Sequence, residues 1–237
     1  MRDPYETELM KRVMIAVRSN LSVTEEGGIS EILQNKPYSS RVFESANQLL
    51  NVCEQMELAI NRIGNAHLTK GYRVSILNYE VENFLFRVGM TIDRALKLIN
   101  SVYDLGIPPK ECKMRAISRN AHVADDIGRC VRELDTLVRP QKTDRNQIAH
   151  SSSFEDSRLV WLAAVDNIHR FHESKAASDG ESVTELESAI GHHATLFVEE
   201  KTSEFDAIRI RVCDKIAELL DGLAPTYCRK ASTLEAA

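Results

Sequence analysis

The stretch VSILNYEVENFLFRVGMTIDRALKLINSV, residues 74–102, decides the fold class. Its apolar residues recur at steps of three and four: Val74, Leu77, Val81, Leu85, Val88, Ile92, Ala95, Ile99 and Val102. This spacing places them on one face of a long α-helix. Gly106 and the pair Pro108-Pro109 predict where that helix ends.

Similar patterns predict helices along the rest of the chain. A second stripe comprises Val42, Ala46, Leu49, Cys53, Met56, Ile60 and Ile63. Further helices are predicted over about Pro4–Ser19, Ser118–Val138, Glu155–Ser174, and from a capping box at Ser182–Glu185 to Gly222 and Pro225. No strand-like alternation of useful length occurs. The sequence therefore predicts an all-α fold, an antiparallel helical bundle of five to six helices.

The predicted helices suggest three segments. Residues 1–37 hold an N-terminal helix and a loop, residues 38–175 the helical core, and residues 176–237 a long C-terminal helix and tail packed on the same domain. A chain of 237 residues fits one large domain of this kind.

Composition bounds the class of protein. The net charge is -5, but Lys110 to Arg145 holds nine basic and six acidic residues, so this stretch alone is basic. Five cysteines without paired spacing favour a reducing compartment. No signal-peptide core is visible, and the longest apolar run, Leu159 to Val165, is far too short to span a bilayer. We expect a cytoplasmic protein without a membrane segment.

The residues with the most suggestive chemistry are Arg145-Asn146-Gln147-Ile148-Ala149-His150. An arginine followed by a histidine at similar spacing also occurs at Arg62 and His67 and at Arg115 and His122, so spacing alone is not diagnostic. Asn146 distinguishes the third pair, because on a helix it shares a face with His150 and can orient the imidazole ring.

The setting of the hexapeptide is also distinctive. We predict that the preceding helix ends near Pro140 and that Thr143 or Asp144 caps a new one, so the motif lies at a break between helices. By contrast, His122 is predicted on a helix surface, and Arg62 and His67 at the end of a long helix.

Arg-Asn-x-x-Ala-His after a helix pair in an all-α chain resembles the HEPN family (higher eukaryotes and prokaryotes nucleotide-binding domain) over about Ser39 to Ser174. Segments Tyr79–Arg87 and Asp93–Leu96 also look like the lead helix of some HEPN proteins. The resemblance implies a dimeric, metal-independent endoribonuclease without a cofactor, acting in toxin–antitoxin or antiviral settings. RNA, a second copy and an antitoxin or defence-system partner are the implied partners. Arg145 and His150 would be catalytic, and Asn146 would support them.

Elementary chemistry agrees with this role. His150 could accept a proton from a ribose 2′-OH, and Arg145 could stabilise the phosphoryl oxygens while a 2′,3′-cyclic phosphate forms. On an ideal helix, however, residues five apart are separated by about 140° around the axis. Either the helix distorts at His150, or two chains contribute to one site. Glu82 and Asp93 could pair with Arg145, although ordinary surface carboxylates are the stronger interpretation.

Two other classes of function remain open. One is a catalytically inactive helical module that binds a protein or a nucleotide. The other is a metal-binding four-helix protein, in which four histidines and two carboxylates would supply ligands (His169, His172, His192, His193, Glu173 and Glu199), a weak arrangement. Trp161 and Phe171 are predicted to pack in the core, and no thiol nucleophile or phosphate-binding loop is indicated.

Overall fold

The computed structural model describes residues 2–21, 38–66, 74–150, 156–175 and 181–234. These residues form a short 3-10 helix at Pro4–Glu6 and seven α-helices: α1 (Glu8–Leu21), α2 (Tyr38–Ala66), α3 (Val74–Tyr103), α4 (Met114–Ser118), α5 (Asp125–His150), α6 (Ser157–Lys175) and α7 (Glu181–Leu234). No strand occurs among them. The all-α prediction is confirmed, and α4 is the helix that the sequence patterns missed.

The two stripes that decided the fold class are buried as predicted. All nine apolar residues of the α3 stripe are buried, and in α2 only Ile60 is partly exposed. Helix α3 ends where Asp104 adopts a positive φ of 49° and the amide of Leu105 bonds the carbonyl of Asn100 at 3.1 Å. This left-handed cap closes the helix just before Gly106.

Four predicted helix boundaries are wrong. Pro140 lies inside α5, and both Gly222 and Pro225 lie inside α7, which continues to Leu234. Helix α5 begins at Asp125 rather than near Ser118, and α7 begins at Glu181, one residue before the predicted cap. The predicted loop at Asn20–Pro37 falls outside the described residues from position 22 onward, as does the loop at 176–180.

The chain divides into two compact units. The first comprises Met1–Glu54, Met90–Arg139 and Ile210–Ala237, and the second comprises Gln55–Gly89 and Pro140–Arg209. Helices α2, α3, α5 and α7 each contribute residues to both units. The predicted segment boundaries after residues 37 and 175 fall beside stretches outside the described residues.

The first unit is held by close packing between α2, α5 and α7. The rings of Tyr38 and Tyr227 stack 5.7 Å apart, and the Tyr227 hydroxyl is 2.7 Å from Oγ of Ser39. A methyl group added to Gly222 would lie 2.8 Å from Cδ1 of Ile127. Gly222 is therefore a contact position between two helices, which explains why it does not end α7.

The second unit has its own aromatic centre. The rings of Phe84 in α3 and Phe205 in α7 stack with centroids 4.0 Å apart, and both side chains are buried. The buried ammonium group of Lys201 lies over Phe205 and pairs with Asp156 at 3.6 Å and with Glu204 at 2.9 Å. Among the described residues, no helix combines the length and the apolar character that crossing a membrane requires.

Candidate functional site

The hexapeptide 145–150 forms the C-terminal end of α5, in the second unit. The predicted break at Pro140 is wrong, because α5 runs through this proline and stays α-helical to His150. A proline removes one backbone hydrogen bond, but strong helix formers such as Gln141 and Lys142 follow it and continue the helix. The motif therefore continues a helix rather than opening one, and neither Thr143 nor Asp144 is an N-cap.

Helical geometry determines which motif positions share a face. Asn146 and His150 are four residues apart in α5, so their positions are neighbours on the helix surface. Arg145 and His150 are five apart, which separates them by about 140° around the axis and about 7.5 Å along it. The side chains of Arg145, Asn146 and His150 lie outside what the structure describes. Within one chain, the positions of Asn146 and His150 therefore lie on the same face of α5. The position of Arg145 lies on a different face from that of His150.

In the first of the two other arginine–histidine pairs, Arg62 and His67, the arginine has a structural role. Nη1 of Arg62 is 3.3 Å from Oε1 of Glu80, whose side chain is only 6% exposed. The other oxygen of Glu80 accepts a hydrogen bond from Asn83 at 3.2 Å. A buried carboxylate needs such partners, so Arg62 compensates the charge of Glu80. His67 lies outside the described residues.

The second of these pairs, Arg115 and His122, lies in and after the short helix α4. Arg115 is exposed on the short helix α4, and His122 is exposed in the connection before α5. The prediction of His122 on a helix surface is wrong, because α5 begins three residues later. The backbone N–H of His122 instead bonds Oδ1 of Asn120 at 3.0 Å. His122 is exposed and belongs to the first unit, whereas the hexapeptide belongs to the second, so His122 is a suitable control position.

The acidic residues considered as partners of Arg145 lie on α3. Oε1 of Glu82 accepts a hydrogen bond from Asn78 at 3.1 Å, and Asp93 is exposed. A pairing with either carboxylate depends on the Arg145 side chain, which is outside the described residues, so the stronger interpretation, that both are ordinary surface carboxylates, stays a prediction.

The histidines offer no assembled metal site in the part of the chain that is described. His192 and His193 are both exposed on α7, with ring centroids 5.7 Å apart. His169, His172 and Glu173 have side chains outside that part. No group of three or more potential ligands that could hold a metal ion occurs among the described residues.

Two of the buried thiols, Cys112 and Cys130, are poor nucleophiles. Burial raises the pKa of Cys130 to about 11 and also raises the pKa of Cys112. Both thiols therefore stay protonated at neutral pH, and the thiolate is the reactive form.

The prediction that Trp161 and Phe171 pack in the core is wrong. Trp161 is 47% exposed and Phe171 57% exposed, because α6 turns Leu159 and Leu162 inward instead. Ile168, on the same helix, is also half exposed. Sequence reasoning missed this second apolar face, although Trp161, Ala164, Ile168 and Phe171 are spaced by three, four and three residues, a spacing as helical as the inner one.

The outer side of α6 borders a groove of about 730 Å³ in the second unit. The Trp161 ring meets the His193 ring edge to face at 5.0 Å, and Leu196 and Phe197 continue the apolar wall. Arg158 lies 5.1 Å above Phe197 and binds both carboxylate oxygens of Glu200. Hydrogen bonding to Arg158 lowers the pKa of Glu200, and the same pair raises the pKa of Arg158.

This groove is apolar with an acidic edge. Glu199 and Glu200 both line it, and its arginine is already paired. Such a surface attracts apolar groups and not phosphates.

No family model, curated protein or solved structure matches the chain.

Proposed function

We propose that this chain is a metal-independent endoribonuclease of the HEPN type that works as a homodimer. The observation that carries the proposal is the Arg145-Asn146-x-x-x-His150 motif at the end of α5, where helical spacing places Asn146 beside His150. The basic balance of Lys110 to Arg145, which leads into the motif, favours an anionic substrate near it.

The reaction follows from these residue types. His150 would remove the proton of a ribose 2′-OH, and the 2′ oxygen would attack the adjacent phosphorus atom. The bond from phosphorus to the 5′ oxygen breaks, and the leaving oxygen takes up a proton. The products are a 2′,3′-cyclic phosphate and a 5′-OH. Arg145, which stays charged at all relevant pH values, would stabilise the phosphoryl oxygens.

The helical state of α5 favours a site built from two chains. Because α5 stays helical through His150, distortion at that residue does not bring Arg145 round to it. A two-fold axis near the motif would place the arginine of one chain beside the histidine of its partner. The cellular settings that the family resemblance suggests, a toxin or an antiviral effector in the cytoplasm, belong to this proposal.

The test uses purified full-length protein, single-stranded RNA and EDTA. We expect cleavage to survive chelation, to leave cyclic phosphate ends and to spare RNA with a 2′-deoxyribose at the cleavage site. Arg145→Ala and His150→Ala should each lower the rate by about 100-fold or more. His122→Ala, purified identically, should cut like wild type, which also controls for contaminating nucleases.

Arg62→Ala is a second control with a different expectation. It should keep the cleavage rate at low temperature but lower the thermal stability, because Glu80 loses its ionic partner. Motif variants that cut at the wild-type rate, or cleavage that requires a divalent metal, would show that the proposed function is wrong.

A second candidate function is a catalytically inactive interaction module. The acidic net charge of -5 and the apolar face of α6 favour it. It predicts no cyclic phosphate product from any RNA, with the folded state and self-association unchanged in Arg145→Ala and His150→Ala.

A further inference from the structure

Helix α6 has two apolar faces, of which only one is buried. Leu159 and Leu162 are 3% and 1% exposed and form the inner face. The outer stripe, which we define as Trp161, Ala164, Ile168 and Phe171, is exposed throughout. Five of the eleven large apolar side chains exposed among the described residues lie on this stripe or beside it (Val160, Trp161, Ile168, Phe171 and Leu196). Such a concentration is typical of an interaction surface.

The outer stripe has the symmetry that pairing with itself requires. Its spacings of three, four and three residues read the same in both directions. If two copies of α6 lie antiparallel about a two-fold axis near position 166, Trp161 faces the partner's Phe171 and Ala164 faces the partner's Ile168. A small side chain thus packs against a large one near the axis, and an aromatic ring packs against an aromatic ring at both ends. Interdigitating helices require such complementary sizes.

The charges at the Trp161 end of the stripe argue against RNA as its occupant. Arg158 is paired with Glu200, and Glu199 adds a further negative charge to the groove. A polyanion would be repelled from this edge, whereas the mixed charges of a second protein surface can be accommodated.

The available area suits a dimer. An aromatic side chain buries about 150–250 Å² when fully enclosed, so the half-exposed rings of Trp161 and Phe171 together offer roughly that much per chain. Val160, Ile168 and Leu196 are also about half exposed and extend the patch. A stable dimer buries about 800 Å² per partner, with an apolar core surrounded by a polar rim. The patch is thus large enough for the core of such an interface.

We propose that the outer stripe of α6 is the homodimer interface of this protein, with α6 packed antiparallel against α6 of a second copy. This inference rests on the proposed function in one respect: a site needing Arg145 and His150 from different chains is incomplete without a second copy. Position 150 lies seven residues before Ser157, so the motif is within about 25 Å of the start of α6. In the antiparallel pair the two α6 starts lie about 27 Å apart along the helices, because each is nine residues from the axis at 1.5 Å per residue. A reach of about 25 Å from each start is enough for the two motifs to meet near the axis.

The test measures self-association directly. Sedimentation should show a dimer at micromolar concentration that dissociates on dilution. Trp161 is the only tryptophan, so its emission should shift to longer wavelength over the same dilution range as its ring becomes exposed. Ile168→Asp should weaken association by about 30-fold or more. Ile76→Asp is the matched control, because Ile76 is 50% exposed in the same unit, and it should dimerise like wild type.

A charge pair tests the antiparallel register. Ile168→Lys alone should weaken the dimer, and Ala164→Glu alone should do the same. The double variant should recover at least tenfold in affinity, because the glutamate at 164 of one chain would face the lysine at 168 of the other. Circular dichroism should show unchanged helix content in all of these exposed-site variants.

Several results would overturn the interface. One is a wild-type protein that stays monomeric at all concentrations, and another is a dimer whose tryptophan emission does not change on dilution. The others are equal effects of Ile168→Asp and Ile76→Asp on the dimer affinity, and a double variant whose affinity does not recover. The failure of the nuclease proposal looks different. A dimer that behaves as described but leaves RNA intact contradicts the proposed function alone. RNA cleavage by wild type together with an Ile168→Asp variant that stays dimeric contradicts the interface alone, and cleavage that survives in a monomeric Ile168→Asp variant contradicts the two-chain site.

Discussion

The two units of the chain use their apolar residues differently. Of the eleven large apolar side chains exposed among the described residues, eight lie in the second unit, although it is the shorter one. The first unit encloses the Tyr38–Tyr227 stack and the contact of Gly222 with Ile127. The second unit carries the motif at the end of α5 and the outer stripe of α6. The difference suggests that the first unit mainly stabilises the fold, whereas the second provides surfaces for interaction.

The largest loss of stability should come from a substitution in the aromatic centre of the second unit. This prediction compares the buried core of that unit with its exposed apolar face. Phe84→Ala should lower the free energy of unfolding by about 3–5 kcal/mol, because it removes a buried ring and leaves a cavity beside Phe205. Phe171→Ala, measured on dilute protein, should change it by less than about 0.5 kcal/mol, because Phe171 is 57% exposed.

Denaturant unfolding monitored by circular dichroism measures both variants. Equal losses at Phe84 and Phe171 would mean that the second unit does not separate a buried core from an exposed face, and the comparison between the units would fail.

Two glycines of α7 give an intermediate effect and compare the units directly. Gly222→Val in the first unit should cost about 1–3 kcal/mol, since even the first added carbon would lie 2.8 Å from Ile127. Gly191→Val in the second unit has nothing within 4 Å of the added carbon and should gain about 0.4 kcal/mol from helix propensity. Thermal unfolding of the pair checks the signs, and a destabilised Gly191→Val would contradict the open surroundings of that position.

The smallest effect should come from the surface ion pair of the second unit. The pKa of Glu200 is below its usual value of 4.5 in the folded protein, because Arg158 bonds its carboxylate. A lowered folded pKa stabilises the protein above pH 4.5, and the contribution disappears as pH falls through the folded pKa. Glu200→Gln should therefore lower the melting temperature slightly at pH 7 and not at all in strong acid. If the difference in melting temperature between wild type and Glu200→Gln persists in acid, or grows with salt, the ion pair of Arg158 and Glu200 is not its cause.

Periodicity predicted the helices well, because burying an apolar stripe is what stabilises a long helix in a protein. The stripes of α2 and α3 show this most clearly. The predicted helix ends failed where packing overrides local preference. Gly222 is a contact position and not a cap, and α7 continues past Pro225 because Tyr227 is buried against Tyr38.

The candidate site was predictable only in part. The order of residues in the hexapeptide could be read directly, and the i, i+4 relation of Asn146 and His150 follows from the helix that contains them. The outer stripe of α6 was missed, because residues 159–171 hold two interleaved apolar patterns and a sequence alone does not say which one faces the core. Leu159 and Leu162 take that place, which leaves Trp161 outside.

The central claim is that Arg145 of one chain works with His150 of its partner. Arg145→Ala and His150→Ala, each inactive alone, should form mixed dimers when combined. Half of the randomly paired dimers are mixed, and one of the two sites in each mixed dimer is intact, so about a quarter of the wild-type RNA cleavage rate should return. If mixing restores no cleavage although mixed dimers are present, the two residues act within one chain or not at all, and the two-chain site is wrong.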